Sequence, residues 1–303
     1  MAIYSFSAGV FSRSKGHHVT AAAAYRAAEL VYDEATGLRF DYSRKHGVVH
    51  SEIIAPDHAP AWMLNRVALW NAVEAQEKRS DSQLAREIMV ALLHELDEAE
   101  RLELVRGYVR AEFVAAGMVA DFSIHEPSRD GDERNHHCHI MLTMRAVDGD
   151  GFSAKKVREW NREEVLEHWR QAWAEHVNTA LEDAGFDARV DHRSLETQGI
   201  EREPGEHLGK QATALERRGI ASPRGERNRE TSEHNAEIDQ LVAELAALDA
   251  QIAREQQERI FESGFDAFEP QAPTLDPRAP EAWPELPDAG TQPASAGIHR
   301  SHS

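Results

Sequence analysis

The stretch that most constrains this chain is His136-His137-Cys138-His139-Ile140-Met141-Leu142-Thr143-Met144-Arg145, where a histidine cluster runs straight into an apolar, β-type segment. Successive side chains on a strand point to opposite faces, so His137 and His139 share one face while Cys138 falls with His136 and Ile140 on the other. Two imidazoles side by side on a strand make half of a metal site. The third is offered by His125, which closes the strand-like run 119–125; residues 126–135, rich in Pro, Ser, Asp and Gly, read as a hairpin connection between them. Three histidines are then expected to converge from two adjacent antiparallel strands. An H-x-H pair is also compatible with satisfied or exposed histidines in a chain that has 17 of them, and alone it does not choose.

The pattern around this stretch alternates strands and helices. Residues 2–8 read as a strand, and Phe11-Ser12-Arg13-Ser14-Lys15-Gly16 as a polar loop suited to phosphate through backbone N–H groups and cations. Residues 19–30 are dense in alanine without Gly or Pro, which favours a helix with Tyr25 as its one large projection. Residues 31–44 read as a hairpin or loop, 47–55 as a strand, 62–77 as an amphipathic helix and 85–93 as a strand. A long helix over 97–116 stops at Gly117, the C-terminal glycine signal, before the two histidine-bearing strands, 119–125 and 137–146. Such a mixed order predicts an α+β fold, a central antiparallel β-sheet with flanking helices. Beyond it come a basic segment at 153–158, a helix over 161–184 with Trp160, Trp169 and Trp173 near its packed face, and extended chain to Arg229 wrapping the domain. Ile238, Leu241, Leu245, Leu248 and Ile252 step by three and four as a short heptad seam, equally suited to packing on the domain or to dimerisation. The expected division is therefore a domain over 1–230, an amphipathic helix over 231–264 and a disordered, acidic, Pro/Ala-rich tail over 265–303.

At 303 residues the chain holds one large domain plus an appendage or two small ones, and no apolar run approaches a membrane span, so a soluble protein without membrane insertion is expected. The N-terminus shows neither a basic region nor an apolar run of a secretory signal, and the single cysteine, Cys138, fits a reducing cytoplasm. The net charge of −19 argues against a nucleic-acid partner, because phosphate binding normally leaves a basic footprint. Residues 1–50 are nonetheless positive in balance, with Arg13, Lys15, Arg26, Arg39, Arg44 and Lys45 against Glu29, Asp33, Glu34 and Asp41. A local basic edge could hold a phosphate, while the global field would not steer DNA in from a distance.

If His125, His137 and His139 bind a metal, three neutral imidazoles leave positions open to substrate oxygens, the arrangement of a catalytic site. Carboxylates usually orient such imidazoles, and Glu87 and Glu95 flank the end of a strand that could neighbour the cluster. Taken together, Met1-Ala2-Ile3-Tyr4, the Arg13-Ser14 loop, Ala21-Ala22-Ala23-Ala24-Tyr25-Arg26, Ala85-Arg86-Glu87-Ile88, His94-Glu95-Leu96 and His137-Cys138-His139-Ile140-Met141 occur in the order seen in MobA/MobL relaxases, which belong to the HUH endonucleases. Asp191-His192-Arg193-Ser194-Leu195-Glu196 and Glu216-Arg217-Arg218-Gly219-Ile220 resemble segments of TraA-type members, so the resemblance covers residues 1–230. It departs at His136 and at Leu93, where relatives often carry proline.

The resemblance implies Tyr25 as nucleophile, His125, His137 and His139 as ligands of a divalent metal, Mg²⁺ or Mn²⁺, and Glu87 or Glu95 as the supporting carboxylate, with Arg13, Lys15 and Arg26 toward DNA. The implied activity is nicking of one strand of DNA at a plasmid origin of transfer, by tyrosine transesterification through a 5′-phosphotyrosine intermediate, for conjugative mobilization. The implied partners are single-stranded DNA at that origin, relaxosome accessory proteins and a coupling protein. A rolling-circle replication initiator shares the chemistry, and a catalytically inactive DNA-binding regulator shares the fold; the acidic charge favours the regulator, Tyr25 with three histidines the enzyme. No Gly-Lys-Ser/Thr phosphate loop is present, so no helicase activity is expected of these residues.

Overall fold

The computed structural model describes residues 4–127, 133–206 and 208–265. In chain order the strands are β1 (Phe6–Ser12), β2 (Leu30–Tyr32), β3 (Arg39–Asp41), β4 (Val48–Ile54), β5 (Gln83–Leu92), β6 (Ala120–His125), β7 (His136–Thr143), β8 (Val147–Asp148) and β9 (Gly151–Phe152). The α-helices are α1 (Val19–Ala27), α2 (Arg66–Gln76), α3 (Glu98–Val109), α4 (Glu163–Asp183), α5 (Gly209–Arg217) and α6 (Pro223–Phe265). The chain divides into two compact units within α6, at Asn235 and Ala236.

In the first unit, β1-β5-β7-β6-β4 form one sheet in which every neighbouring pair is antiparallel. Alternation gives it two different faces. Ile88, Val90, Leu92, Phe122, Ile124, Cys138, Ile140 and Leu142 bury one face against Val105, Tyr108 and Phe113 from α3 and its extension and Trp169, Trp173 and Val177 from α4. The Tyr108 hydroxyl donates to the Trp169 carbonyl at 2.9 Å, pinning the two helices together. On the opposite face Ala85 and Met141 pack with Val19, Ala22 and Ala23 of α1 and Leu69, Trp70 and Val73 of α2. The alanines are what allow α1 to lie close to the sheet.

Local signals explain several element ends. Asp97 and Glu100 close a reciprocal capping box at the start of α3, satisfying N–H groups that the first turn cannot. A π turn over Arg110–Val114 extends that helix, and Gly117 leaves it at φ 92°, a conformation that costs a Cβ-bearing residue about 1–2 kcal/mol. Buried Arg66, at the start of α2, pairs with Asp121 of β6 at 2.8 Å and with Glu29 just past α1, while the Trp70 indole also donates to Asp121 at 2.8 Å.

Three sequence expectations need correction. The first strand is Phe6–Ser12, not 2–8, and residues 1–3 lie outside the described set; none of this edge strand's residues is fully buried, so its register on β5, Phe6 opposite Val90, sets its limits rather than its own pattern. The loop expected at 11–16 therefore begins as strand at Phe11 and Ser12, followed by a 3₁₀ turn at Arg13–Lys15. The stretch 188–229 is not extended throughout: it contains α5 and the start of α6. Ser222 caps α6, its hydroxyl accepting from Gly225 N at 3.0 Å, and Pro223 occupies the first helical position, a start signal present in the sequence. The β8–β9 hairpin was not expected. The acidic tail beyond Phe265 lies outside the described residues.

Candidate metal and nucleophile site

The histidine face is set by strand register. His125 on β6 lies opposite His137 on β7, and His139 opposite Met89 of β5 and Ser123 of β6. Ring centroids of His125, His137 and His139 are 5.0–5.3 Å apart, and one nitrogen from each falls within 4.8 Å of the others. Cys138 and His136 turn to the other face, as alternation requires, so neither adds a donor to the trio; Cys138 is fully buried in the α3–α4 core.

Each imidazole has an oxygen partner at one ring nitrogen. His125 Nε2 meets the Arg26 carbonyl at 2.8 Å, His137 Nδ1 the Asn135 carbonyl at 3.1 Å, and His139 Nδ1 the Glu87 carboxylate at 2.8 Å. A carbonyl or carboxylate can only accept, so each of these nitrogens donates, and in the neutral form of a ring the second nitrogen keeps its lone pair. Burial disfavours the charged form of two of the rings: it pushes His125 down to about 3 and His137 below its ordinary value. One nitrogen from each of the three rings inside a single 4.8 Å cluster makes a donor set that could hold a divalent metal ion.

Glu87 and Glu95 separate in space. Glu87 lies on the histidine face of β5, bonded to His139 and paired bidentately with Arg26, whose Nη2 donates to Oε2 at 2.8 Å. Burial opposes its charge, but the hydrogen bonds from His139 and Arg26 outweigh this and hold the carboxyl at about 2. Glu95 lies past the end of β5, with Oε2 3.0 Å from Nδ1 of His94.

Tyr25 projects from α1, is 47% exposed and packs edge-on against Tyr42. Its neighbour Arg26 joins the two halves of the site, because its carbonyl accepts from His125 and its guanidinium holds Glu87. Lys45 is a residue that sequence reasoning counted as a cation but gave no role. Its Nζ donates to the Tyr25 carbonyl at 2.8 Å and stands 3.9 Å over the Tyr25 ring, with burial and the Arg26 charge lowering it to about 8. No local pattern marks Lys45; only the return of the chain after β3 brings it there. Of the cations expected on DNA, Arg26 is engaged by Glu87, and Arg13 donates to Glu74 at 2.7 Å and to the carbonyls of Glu77, Arg79 and Glu74. Lys15 remains exposed.

A family model described as the MobA/MobL family matches residues 17–218, a span that includes α1, all three histidines and Glu87. The chain belongs to the MobA/MobL family. This MobA/MobL chain is 40% identical over 247 residues to mobilization protein MobL of Acidithiobacillus ferridurans, covering 72% of the chain and 65% of that protein. It is 38% identical over 248 residues to conjugal transfer protein TraA of Agrobacterium fabrum, covering 72% of the chain and 22% of TraA. The chain thus spans just under two thirds of one relative and about a fifth of the other. Among solved structures, one from work on the molecular basis of vancomycin resistance transfer in Staphylococcus aureus superposes with a TM-score of 0.59 at 33% identity, over 64% of this chain and 100% of that one. Among the described residues no helix is long and apolar enough to cross a membrane.

Proposed function

We propose that this MobA/MobL chain is a relaxase that nicks one strand of DNA at a plasmid transfer origin, with Tyr25 as nucleophile and His125, His137 and His139 as ligands of a divalent metal. The observation that carries the reading is the Arg26 bridge: one residue sets the tyrosine-bearing helix against the imidazole cluster through a hydrogen bond to His125 and an ion pair to Glu87. The all-nitrogen donor set suits Mn²⁺ better than Mg²⁺, which prefers oxygen ligands. When bound, such an ion would neutralise non-bridging oxygens of the scissile phosphate.

The chain's own groups do the rest. The Tyr25 hydroxyl oxygen attacks phosphorus as its proton is released, the bond from phosphorus to the 3′ oxygen breaks, and the products are a 5′-phosphotyrosine and a free 3′-OH. The Lys45 ammonium packs over the Tyr25 ring by a cation–π contact and helps fix the ring in place. Glu87 orients His139, and Arg26 fixes Glu87. One phosphodiester replaces another, so the step is reversible and allows religation after transfer. The expected partners are single-stranded DNA of the origin, relaxosome accessory proteins and a coupling protein, in the cytoplasm.

Incubation with a supercoiled plasmid carrying the transfer origin and Mn²⁺ tests this: a covalent protein–DNA band is expected, absent in Tyr25→Phe, which retains DNA binding. The net charge of −19 favours a second reading, a DNA-binding regulator of the same fold. Absence of any adduct under every divalent metal, with binding retained, would establish that reading instead.

A further inference from the structure

Among the described residues, helix α6 carries an exposed apolar row. Leu241, Val242, Leu245, Leu248 and Ile252 are 58%, 58%, 61%, 54% and 44% exposed. With Ile238 they follow a heptad in which 238, 245 and 252 take the a position, 241 and 248 the d position, and Val242 widens the row at e. Earlier in the helix the contacts are polar and satisfied: Arg227 pairs with Glu206 at 2.8 Å, and the Asn235 amide exchanges two hydrogen bonds of 2.9 Å with the backbone of Glu203. The apolar row begins where those ties end. A contiguous row of this kind along one helix face is the footprint of a docking helix, because isolated apolar side chains on a surface do not keep a/d spacing.

The charges beside the row select the occupant. Glu237 and Glu244 stand at g positions and Asp249 at e, and residues 236–253 contain four carboxylates and no Lys or Arg. A second copy in parallel would set Glu244 of one helix against Asp249 of the other, and an antiparallel copy would set g carboxylates against g carboxylates. The following segment, 266–303, carries six carboxylates against two arginines and so has the wrong sign as well. We propose that this face docks an amphipathic helix of another protein, one whose Leu/Ile row is flanked by Lys and Arg. Apolar contact supplies the adhesion, and the paired charges exclude self-association and acidic helices. This docking is independent of the nicking chemistry.

The full chain is titrated, by fluorescence anisotropy, into two labelled peptides of about four heptads with Ile at a and Leu at d; one has Lys at e and g, the other Glu. The Lys peptide is expected to bind with a Kd on the order of micromolar, at least about tenfold weaker in half-molar salt, while the Glu peptide does not bind and the chain alone sediments as a monomer. Replacing Leu241, Leu245 and Leu248 by Gln should abolish binding. The doubly substituted Glu244→Lys, Asp249→Lys chain, which keeps the apolar row intact, should reverse the preference toward the Glu peptide. Equal binding of both peptides, binding of neither, or dimerisation of the unmodified chain lost in the Gln variant would overturn the proposal.

Discussion

Glu87 gives one oxygen to His139 and both to Arg26, and its charge is favoured only while those partners stay folded around it. Its carboxyl, at about 2 against an ordinary 4.5, adds stability that is complete above 4.5 and is lost as pH falls toward 2, roughly 3 kcal/mol at most. His125, lowered from 6.5 to about 3, contributes with the same sign, since the unfolded state takes up its proton first as pH drops below 6.5. Metal-free protein should therefore lose stability progressively on acidification from about pH 6.5, with a shallower decline below pH 4.5 in Glu87→Gln, measured by urea midpoints along a pH series. The same substitution should weaken Mn²⁺ binding by about tenfold to a hundredfold in isothermal titration, because His139 loses its charged acceptor. Glu95→Gln, lying beside His94 rather than the cluster, should leave that affinity unchanged.

At the scale of elements, α1 is positioned by what surrounds its C-terminal end. Ala28 closes the helix at φ 55°, a left-handed conformation that no other non-glycine residue adopts among the described residues. Ala28→Gly should relieve that strain and raise the unfolding free energy by about 1 kcal/mol, with the covalent-adduct rate preserved. The Arg66 guanidinium joins Glu29, Ser51 and Asp121, which belong to three different segments around the helix and sheet. Arg66→Met strands the fully buried Asp121 carboxylate and should cost about 3–5 kcal/mol in urea unfolding. The alanine run, the capping box and the histidine alternation were legible in the sequence because each is a signal between near neighbours. The Arg66–Asp121 pair, 55 positions apart, and the seat of Lys45 beside Tyr25 were not, because neither residue has a local partner to betray it.

Across the whole molecule, charge is unevenly shared. Residues 236–303 hold 13 carboxylates and four arginines, close to half of the net charge of −19. Ending the chain at Asn235 should strengthen binding to a single-stranded origin oligonucleotide severalfold at low salt and hardly at all near 1 M, as long-range repulsion is screened. The sequence by itself determined the antiparallel α+β architecture, the shared face of His137 and His139 and the apolar row of α6, since periods of two and of three to four residues are written locally. Tertiary structure alone decided which glutamate meets the histidines, that Arg13 and Arg26 are taken up by protein acceptors, and that Lys45 covers Tyr25. Those pairings depend on strand order and register: β5 lies beside β7, which places Glu87 two residues along the face from the position opposite His139, whereas the chain has already left the sheet before Glu95.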